Sequence, residues 1–357
     1  MAKNLLGLDI GSHSIKMIQL KGSGKKWSLA KYCIQKISGG STSELSPDER
    51  RDTIINDLKQ MVSSSKITLK KVATAVSGNS VIVRYVKFPK MSPQDLQKTI
   101  QFEAEPYIPF DVKEVNIGTQ ILGDVTEEGV AKMETVLVAA KNDILQERMN
   151  TIANAGLKTA IIDVDAFTLE NSYELVRDPS MPETVMLLNI GASVTNINIL
   201  ENGISKVVRD IFIAGETFTN AIQRGLQVDY KTAEELKENK GLIVSAEQGE
   251  AAEEDVRISM AMVPVVHELV AEIKRSIDYY QAPTEGEMRV ERVLLSGGSA
   301  NLKHIDRFLA SELNIPVEIN NPFQNINTGG AKSGWEEIAP VLAVAAGLAM
   351  RREGDSR

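Results

Sequence analysis

Residues 5–10 are a short apolar run closed by Gly11-Ser12, and residues 14–20 then alternate apolar Ile15, Met17 and Leu20 with polar neighbours, which predicts the two strands of a hairpin. Residues 27–37 read as a third strand, and Gly39-Gly40-Ser41 closes the meander. Ser46-Pro47-Asp48-Glu49 supplies a cap, a first-position proline and first-turn acids for a helix with Ile54, Ile55, Leu58, Met61 and Val62 on one face. Strands at 72–76 and 80–88 flank Ser77-Gly78-Asn79. Ser92-Pro93-Gln94-Asp95 opens a second helix, and the two prolines of Glu105-Pro106-Tyr107-Ile108-Pro109-Phe110 force an extended exit. Strands at 114–122 and 133–140 precede a helix over 142–155 that stops at Gly156. Residues 80–157 thus read as a small α+β unit inserted in the chain.

The opening pattern then recurs. Strands at 185–190 and 194–200 flank Gly191-Ala192-Ser193, and a third strand at 204–213 follows Asn202-Gly203, so the chain reads as an internal duplication. Helices are predicted at 232–240 and 256–280, on either side of an acidic stretch at 245–255. The stripe of Met260, Met262, Val263, Val266, Leu269, Val270, Ile273 and Ile277 reads as core, with Pro264 kinking the helix or marking its start. A strand at 293–296, the turn Gly297-Gly298-Ser299, a helix to 313, a strand at 317–319 and a helix from 337 complete the pattern. The apolar window 339–350 is about half the ~20 residues of a membrane span and reads as buried helix.

Forty Lys and Arg against 48 Asp and Glu over 357 residues give a net charge of -8, which argues against a dedicated nucleic-acid binder. Cys33 is the only cysteine, which excludes an internal disulfide and a Cys-rich metal site and fits a reducing cytoplasm. The first apolar run is broken by Asp9, unlike a secretory signal, so the expected location is cytoplasmic.

Asp9-Ile10-Gly11-Ser12-His13-Ser14-Ile15-Lys16 places an acid at a strand end, a tight turn with exposed N–H groups and a lysine on the return strand. Such a turn suits a polyphosphate. Gly11 lets the backbone approach, the amides, Ser12 and Ser14 donate to phosphate oxygens, Lys16 adds charge, and Asp9 holds hydrated Mg²⁺. By itself the segment fits an ordinary hairpin equally well. The second copy, Asn189-Ile190-Gly191-Ala192-Ser193-Val194-Thr195, gives two hairpins able to face one nucleotide, and Gly297-Gly298-Ser299 offers bare backbone to an adenine.

With these motifs the chain resembles the actin and FtsA superfamily of nucleotide-binding proteins, and within it the PilM family of type IV pilus assembly. Further carriers of the resemblance are Ile162-Asp163-Val164-Asp165-Ala166 as a first connecting helix, residues 339–349 as a second, Gly78-Asn79, Glu105-Pro106-Tyr107-Ile108-Pro109-Phe110 and Ala214-Gly215-Glu216-Thr217-Phe218-Thr219. The resemblance implies an α/β fold of two actin-like, ribonuclease H-like lobes. Residues 1–79 and 158–184 would belong to subdomain 1A, 80–157 to an FtsA-type 1C insertion, 185–336 to subdomains 2A and 2B, and 337–357 to a helix returning to 1A.

It also implies ATP or ADP with Mg²⁺. Gly11, Ser12, His13 and Ser14 would lie at the β-phosphate, Lys16 across the phosphates, Asp9 near Mg²⁺, and Asn189, Gly191, Ala192, Ser193 and Thr195 around the terminal phosphate. Glu216, Glu234 and Lys237 would grip ribose and adenine, and Gly297, Gly298 and Ser299 would form the adenosine turn. Relatives usually carry Asp where Asn189 stands, and those with strong hydrolysis carry Glu where Asp163 stands as a water-positioning candidate. Binding with slow turnover is therefore expected, and restoring an acid at 189 is expected to raise turnover.

The implied partner is the N-terminal cytoplasmic peptide of PilN, with other inner-membrane pilus components; no nucleic acid and no direct membrane insertion are expected. Peripheral attachment to the inner membrane would come through that partner. Val81, Val83, Tyr85 and Phe88 are candidate groove walls. His13, His267 and His304 lack spacing for a metal site. Two rival functions are a small-molecule kinase, with Asp95 or Asp111 as base, and a membrane-tethered filament, for which the tail 351–357 is short and polar.

Overall fold

The computed structural model describes residues 4–23, 26–38, 46–241, 243, 252–284, 288–329 and 335–355. The predicted Gly39-Gly40-Ser41 closure, most of the acidic stretch at 245–255 and the last two residues lie outside them. The first lobe opens with β1 (Leu6–Ile10), β2 (Ser14–Ser23) and β3 (Lys26–Lys36), then α1 (Pro47–Ser64) and β4 (Lys71–Val76). The Ser46 cap the sequence predicts is part of a reciprocal capping box with Glu49 at the start of α1. The inserted unit comprises β5 (Val81–Pro89), α2 (Pro93–Ala104), β6 (Val115–Glu127) and β7 (Val130–Lys141). The chain returns through α3 (Asn142–Asn154), β8 (Lys158–Val164) and α4 (Asp165–Tyr173).

The second lobe holds β9 (Thr184–Ile190), β10 (Thr195–Glu201), β11 (Ile204–Ile211), α5 (Gly215–Leu226), α6 (Tyr230–Lys240) and α7 (Glu253–Gln281). It continues with β12 (Arg292–Ser296), α8 (Ile305–Leu313) and β13 (Val317–Ile319), and α9 (Trp335–Ile338) and α10 (Ala343–Met350) end the chain. The sheets run β3-β2-β1-β4-β8 and β11-β10-β9-β12-β13. Within each lobe the order is third, second, first, fourth, fifth strand, so the duplication read from the turns is a duplication of topology. In both sheets the first three strands are antiparallel and the rest parallel. The C-terminal ends of the first and fourth strands therefore point to one side, where loops converge.

α4 and α10 cross between the lobes. Leu5, Leu169, Tyr173, Val185, Leu187, Leu294, Val344 and Leu348 form one apolar cluster drawn from both sheets and both helices, which fixes the base of the cleft. The crossing is close enough that a Cβ on Gly347 would fall 1.8 Å from the Thr168 carbonyl oxygen.

Four readings need correction. Residues 162–164 finish strand β8, and the first connecting helix begins only at Asp165, because Ala73 to Val76 of β4 draw residues 161–164 into the parallel sheet. The helix assigned to the insertion, α3, buries Ile152 with Leu6, Leu8, Leu58 and Met61 in the first-lobe core, so the separate three-stranded unit ends at β7. Pro264 does not mark the start of α7, which begins at Glu253 and carries the proline on its exposed side, and Met260 of the supposed core stripe is 71% exposed. Phe88 is buried in the insertion's own core, whereas Val81, Val83 and Tyr85 lie on the opposite face against Phe167 and Val208. Alternation along β5 separates them.

Candidate functional site

Both hairpins turn the same way. In the first, Asp9 pairs with Lys16 across the ladder and Gly11 N–H donates to the Ser14 carbonyl at 3.1 Å. In the second, Asn189 pairs with Asn196 and Gly191 N–H donates to the Val194 carbonyl at 3.0 Å. A Cβ at 191 would lie 2.8 Å from that carbonyl oxygen, which is why glycine stands there. The tips meet across the cleft through the Ser12 and Ser193 hydroxyls. The amides of Ser12, His13, Ala192 and Ser193 find no hydrogen-bond acceptor among the described residues. Two sets of unspent donors thus converge on one point, an arrangement that suits anionic oxygens.

Charge is distributed around these tips. Lys16 Nζ is 3.0 Å from Asp9 Oδ2, with both side chains more than four-fifths buried. Arg50 of α1 donates to the Ser12 carbonyl at 2.9 Å, and Arg148 of α3 donates to the Ile10 carbonyl at 3.0 Å. Desolvation lowers the pKa of both guanidinium groups. From the second lobe, the N-terminus of α5 abuts the second tip, where Gly215 and Glu216 N–H donate to the Gly191 and Ala192 carbonyls at 3.0 and 2.7 Å. Lys237 binds the Gly215 carbonyl at 3.1 Å, Thr219 Oγ1 at 2.7 Å and Glu234 Oε2 at 2.7 Å.

The glycine turn after β12 completes the wall. Gly297 has φ +92° and lies so close to Ile190 that a Cβ would sit 2.3 Å from its carbonyl oxygen; Gly298 has open space around it. Ser299 Oγ would lie 3.2 Å from a Cβ built on Gly215, so the third turn, α5 and the second hairpin share one surface. Thr195 differs from expectation, because its hydroxyl is spent on the Ile213 carbonyl at 2.7 Å. The donors, the bare glycine backbone and the lysines fit a nucleoside polyphosphate, and Asp9 offers an oxygen suited to a hydrated Mg²⁺.

A second tie spans the lobes outside the tips. His13 Nε2 lies 3.3 Å from Glu238 and Nδ1 3.8 Å from Glu234, and Lys36 also pairs with Glu238. The hydrogen bonds from His13 and Lys36 hold the Glu238 carboxyl down at about 2. Sequence spacing did not reveal this grouping of an imidazole with two carboxylates, which lie on different lobes.

A family model for the type IV pilus assembly protein PilM matches residues 7–353. The chain belongs to the PilM family. Among solved structures it is similar to a PilM-PilN type IV pilus biogenesis complex, with 26% identity, a TM-score of 0.83 and 98% of each chain covered. It also shares its fold with MreB5 of Spiroplasma citri bound to AMPPNP, at 13% identity, a TM-score of 0.54, and 97% and 95% coverage of the two chains. Cell division protein FtsA of Buchnera aphidicola is 24% identical over 214 residues, and that of Staphylococcus epidermidis 24% over 208. Each alignment covers 54% of this chain, which spans about half the length of these curated relatives or less, 50% and 43%. No helix among the described residues is long and apolar enough to cross a membrane.

The sequence offers Asp163 as a water-positioning candidate, but a second aspartate two residues on is the one coupled to Asp9. Asp163 lies in β8 with Oδ1 accepting from Val164 N–H and Oδ2 3.4 Å from Arg351, on the side of the C-terminal segment. Asp165, at the first turn of α4, is the carboxylate that feels Asp9. Desolvation, then the Asp9 charge and more weakly Asp210, push it up to about 7, and Ser77 donates to it at 2.6 Å. The alternation of β8 carries the signal: residues 163 and 165 share a parity, but the switch from strand to helix between them sends the second carboxylate toward the hairpins.

Proposed function

We propose that this chain is a nucleotide-loaded adaptor of type IV pilus assembly, which binds Mg-ATP or Mg-ADP between its hairpins and the N-terminal cytoplasmic peptide of PilN on its first lobe. The likeness to the PilM-PilN complex over 98% of both chains carries this reading. Mg-ATP would supply phosphate oxygens and a divalent charge to the cleft. Lys16 and the free amides of both tips bind and orient the phosphates, and Asp9 receives the metal's water shell. Lys237, Glu234 and the turn at Gly297 and Gly298 support the nucleoside. Attachment to the inner membrane then comes through the peptide.

The site is better equipped to hold than to hydrolyse. Asn189 brings no negative charge, and Asp165 is kept partly protonated near neutral pH by desolvation and Asp9. The kinase alternative loses its base, since Asp95 is bonded to Ser92 and Asp111 to Lys113 within turns of the inserted unit. The test is capture of the purified chain by an immobilised synthetic PilN N-terminal peptide. Stoichiometric capture is expected, and no retention above a scrambled peptide would overturn the adaptor reading.

A further inference from the structure

Asn189, in the second hairpin, begins a chain of hydrogen bonds that ends in the other lobe. Its Nδ2 donates to Asn196 Oδ1 at 2.8 Å, Asn196 Nδ2 donates to Asp210 Oδ1 at 2.8 Å, and Gly78 N–H donates to Asp210 Oδ2 at 2.7 Å. Asn189 and Asn196 are 9% and 2% exposed, so these polar groups depend on one another for partners. A carboxylate only accepts, and this fixes the sense of the whole chain. Asn196 must turn its amide nitrogen to Asp210, hence its oxygen to Asn189, and Asn189 must give its nitrogen to Asn196 and keep its own oxygen free. Asp210 thereby decides which atom of Asn189 is free, although it lies two strands away across the sheet.

The other end of the chain is the root of the inserted unit. Gly78, with φ +84°, turns the backbone from β4 into β5, and Val81 N–H donates to its carbonyl at 3.0 Å. The exit strand closes on the entry strand, with Lys141 N–H on the Ser80 carbonyl at 3.0 Å, so the unit departs from the lobe as a closed loop. Gly78 packs beside Val194, in the second hairpin's own turn, and Phe212. Its neighbour Ser77 is held by Asp165 of the first lobe. The loop 77–79 is therefore clasped from both lobes, by Asp165 on one side and Asp210 on the other.

We infer that Asp210 is a positioning residue that links the cleft to the inserted unit, so that nucleotide in the cleft tightens the grip of the unit on its peptide. The inference rests on the adaptor reading above. Phosphates seated on the second tip hold Asn189 and Val194 in place, the chain through Asn196 keeps Asp210 on Gly78, and the insertion stays fixed relative to the first lobe. A pre-positioned groove binds an extended peptide more tightly than one that must be ordered on binding. By linkage, the peptide tightens nucleotide binding by the same factor.

The experiment measures the affinity of the PilN N-terminal peptide for the full chain with saturating Mg-ATP and without nucleotide. Wild type is expected to bind about tenfold more tightly with nucleotide, and Asp210→Ala to bring that ratio to one. Asn196→Ala, which leaves Asp210 and Gly78 in place, is expected to do the same and covers the case in which Asp210→Ala fails to fold. A wild-type ratio of one, or a ratio kept by either folded variant, overturns the coupling while leaving the adaptor reading intact. Wild type that binds no peptide or no nucleotide overturns the adaptor reading and the coupling with it.

Discussion

Asn189 gives its amide nitrogen to Asn196, and a carboxylate at that position has no hydrogen to give. Asn189→Asp would set oxygen against oxygen or turn Asn196 away from Asp210, leaving a buried polar atom unpaired at a cost of about 1–3 kcal/mol. The sequence alone suggests that an acid here revives hydrolysis; the structure attaches a stability loss to it. Urea unfolding should place the variant's midpoint below wild type. Asp165 titrates in the opposite sense to a salt-bridged acid. Its pKa is about 7 in the folded chain against about 4 when unfolded, so the native state binds the extra proton and this group's contribution falls as pH rises from about 4 to 7. Thermal melts of nucleotide-free protein in chelator should therefore show Asp165→Asn gaining stability over wild type at pH 8 and little at pH 4. Asp165 stood within a quoted motif, but its role could not be read until the end of β8 was known. Asp210 was hidden by register: counting back from the Asn202-Gly203 turn sets Arg209 opposite Asn196, and the bulge at Ile199 and Leu200 moves Asp210 there instead.

The strands and turns were legible because each carries a local signal, whether alternation, a glycine or a cap, and the two meanders repeat it. Helix breaks were less so. Pro264 lies within α7, where neighbouring packing by Met262, Val266 and Leu269 holds the helix together despite the missing N–H. The side chain is exposed, so Pro264→Ala removes a backbone defect without removing a core contact and should stabilise the fold by about 1–3 kcal/mol. Chemical denaturation checks this, and a lowered midpoint would mean that the packing of α7 depends on the fixed backbone of the proline. The opposite result is expected for Gly347. A methyl group there runs into the Thr168 backbone, so Gly347→Ala should force α4 and α10 apart and cost about 3 kcal/mol or more, seen as loss of soluble folded protein or a sharply lower melting temperature. No periodicity in the apolar run 339–350 announces this crossing, since every face of α10 is buried.

Among the polar ties between the two lobes are the Ser12 and Ser193 hydroxyls, the contacts of His13 and Lys36 with Glu238, and Gly78 N–H on Asp210. Glu238 has a depressed pKa, so its contribution is present above about pH 4.5 and is lost as pH falls toward 2. The lobes meet at the hairpin tips around a cleft rich in unspent donors. The most direct test of nucleotide binding there is calorimetric titration of Mg-ATP into nucleotide-free wild type and Lys16→Ala. Wild type should bind one equivalent, and loss of the charged contact should weaken binding by about 1.5–3 kcal/mol, roughly tenfold to a hundredfold. Equal affinity of the two proteins, or no heat of binding in wild type, would contradict the assignment of the paired hairpins as a phosphate site.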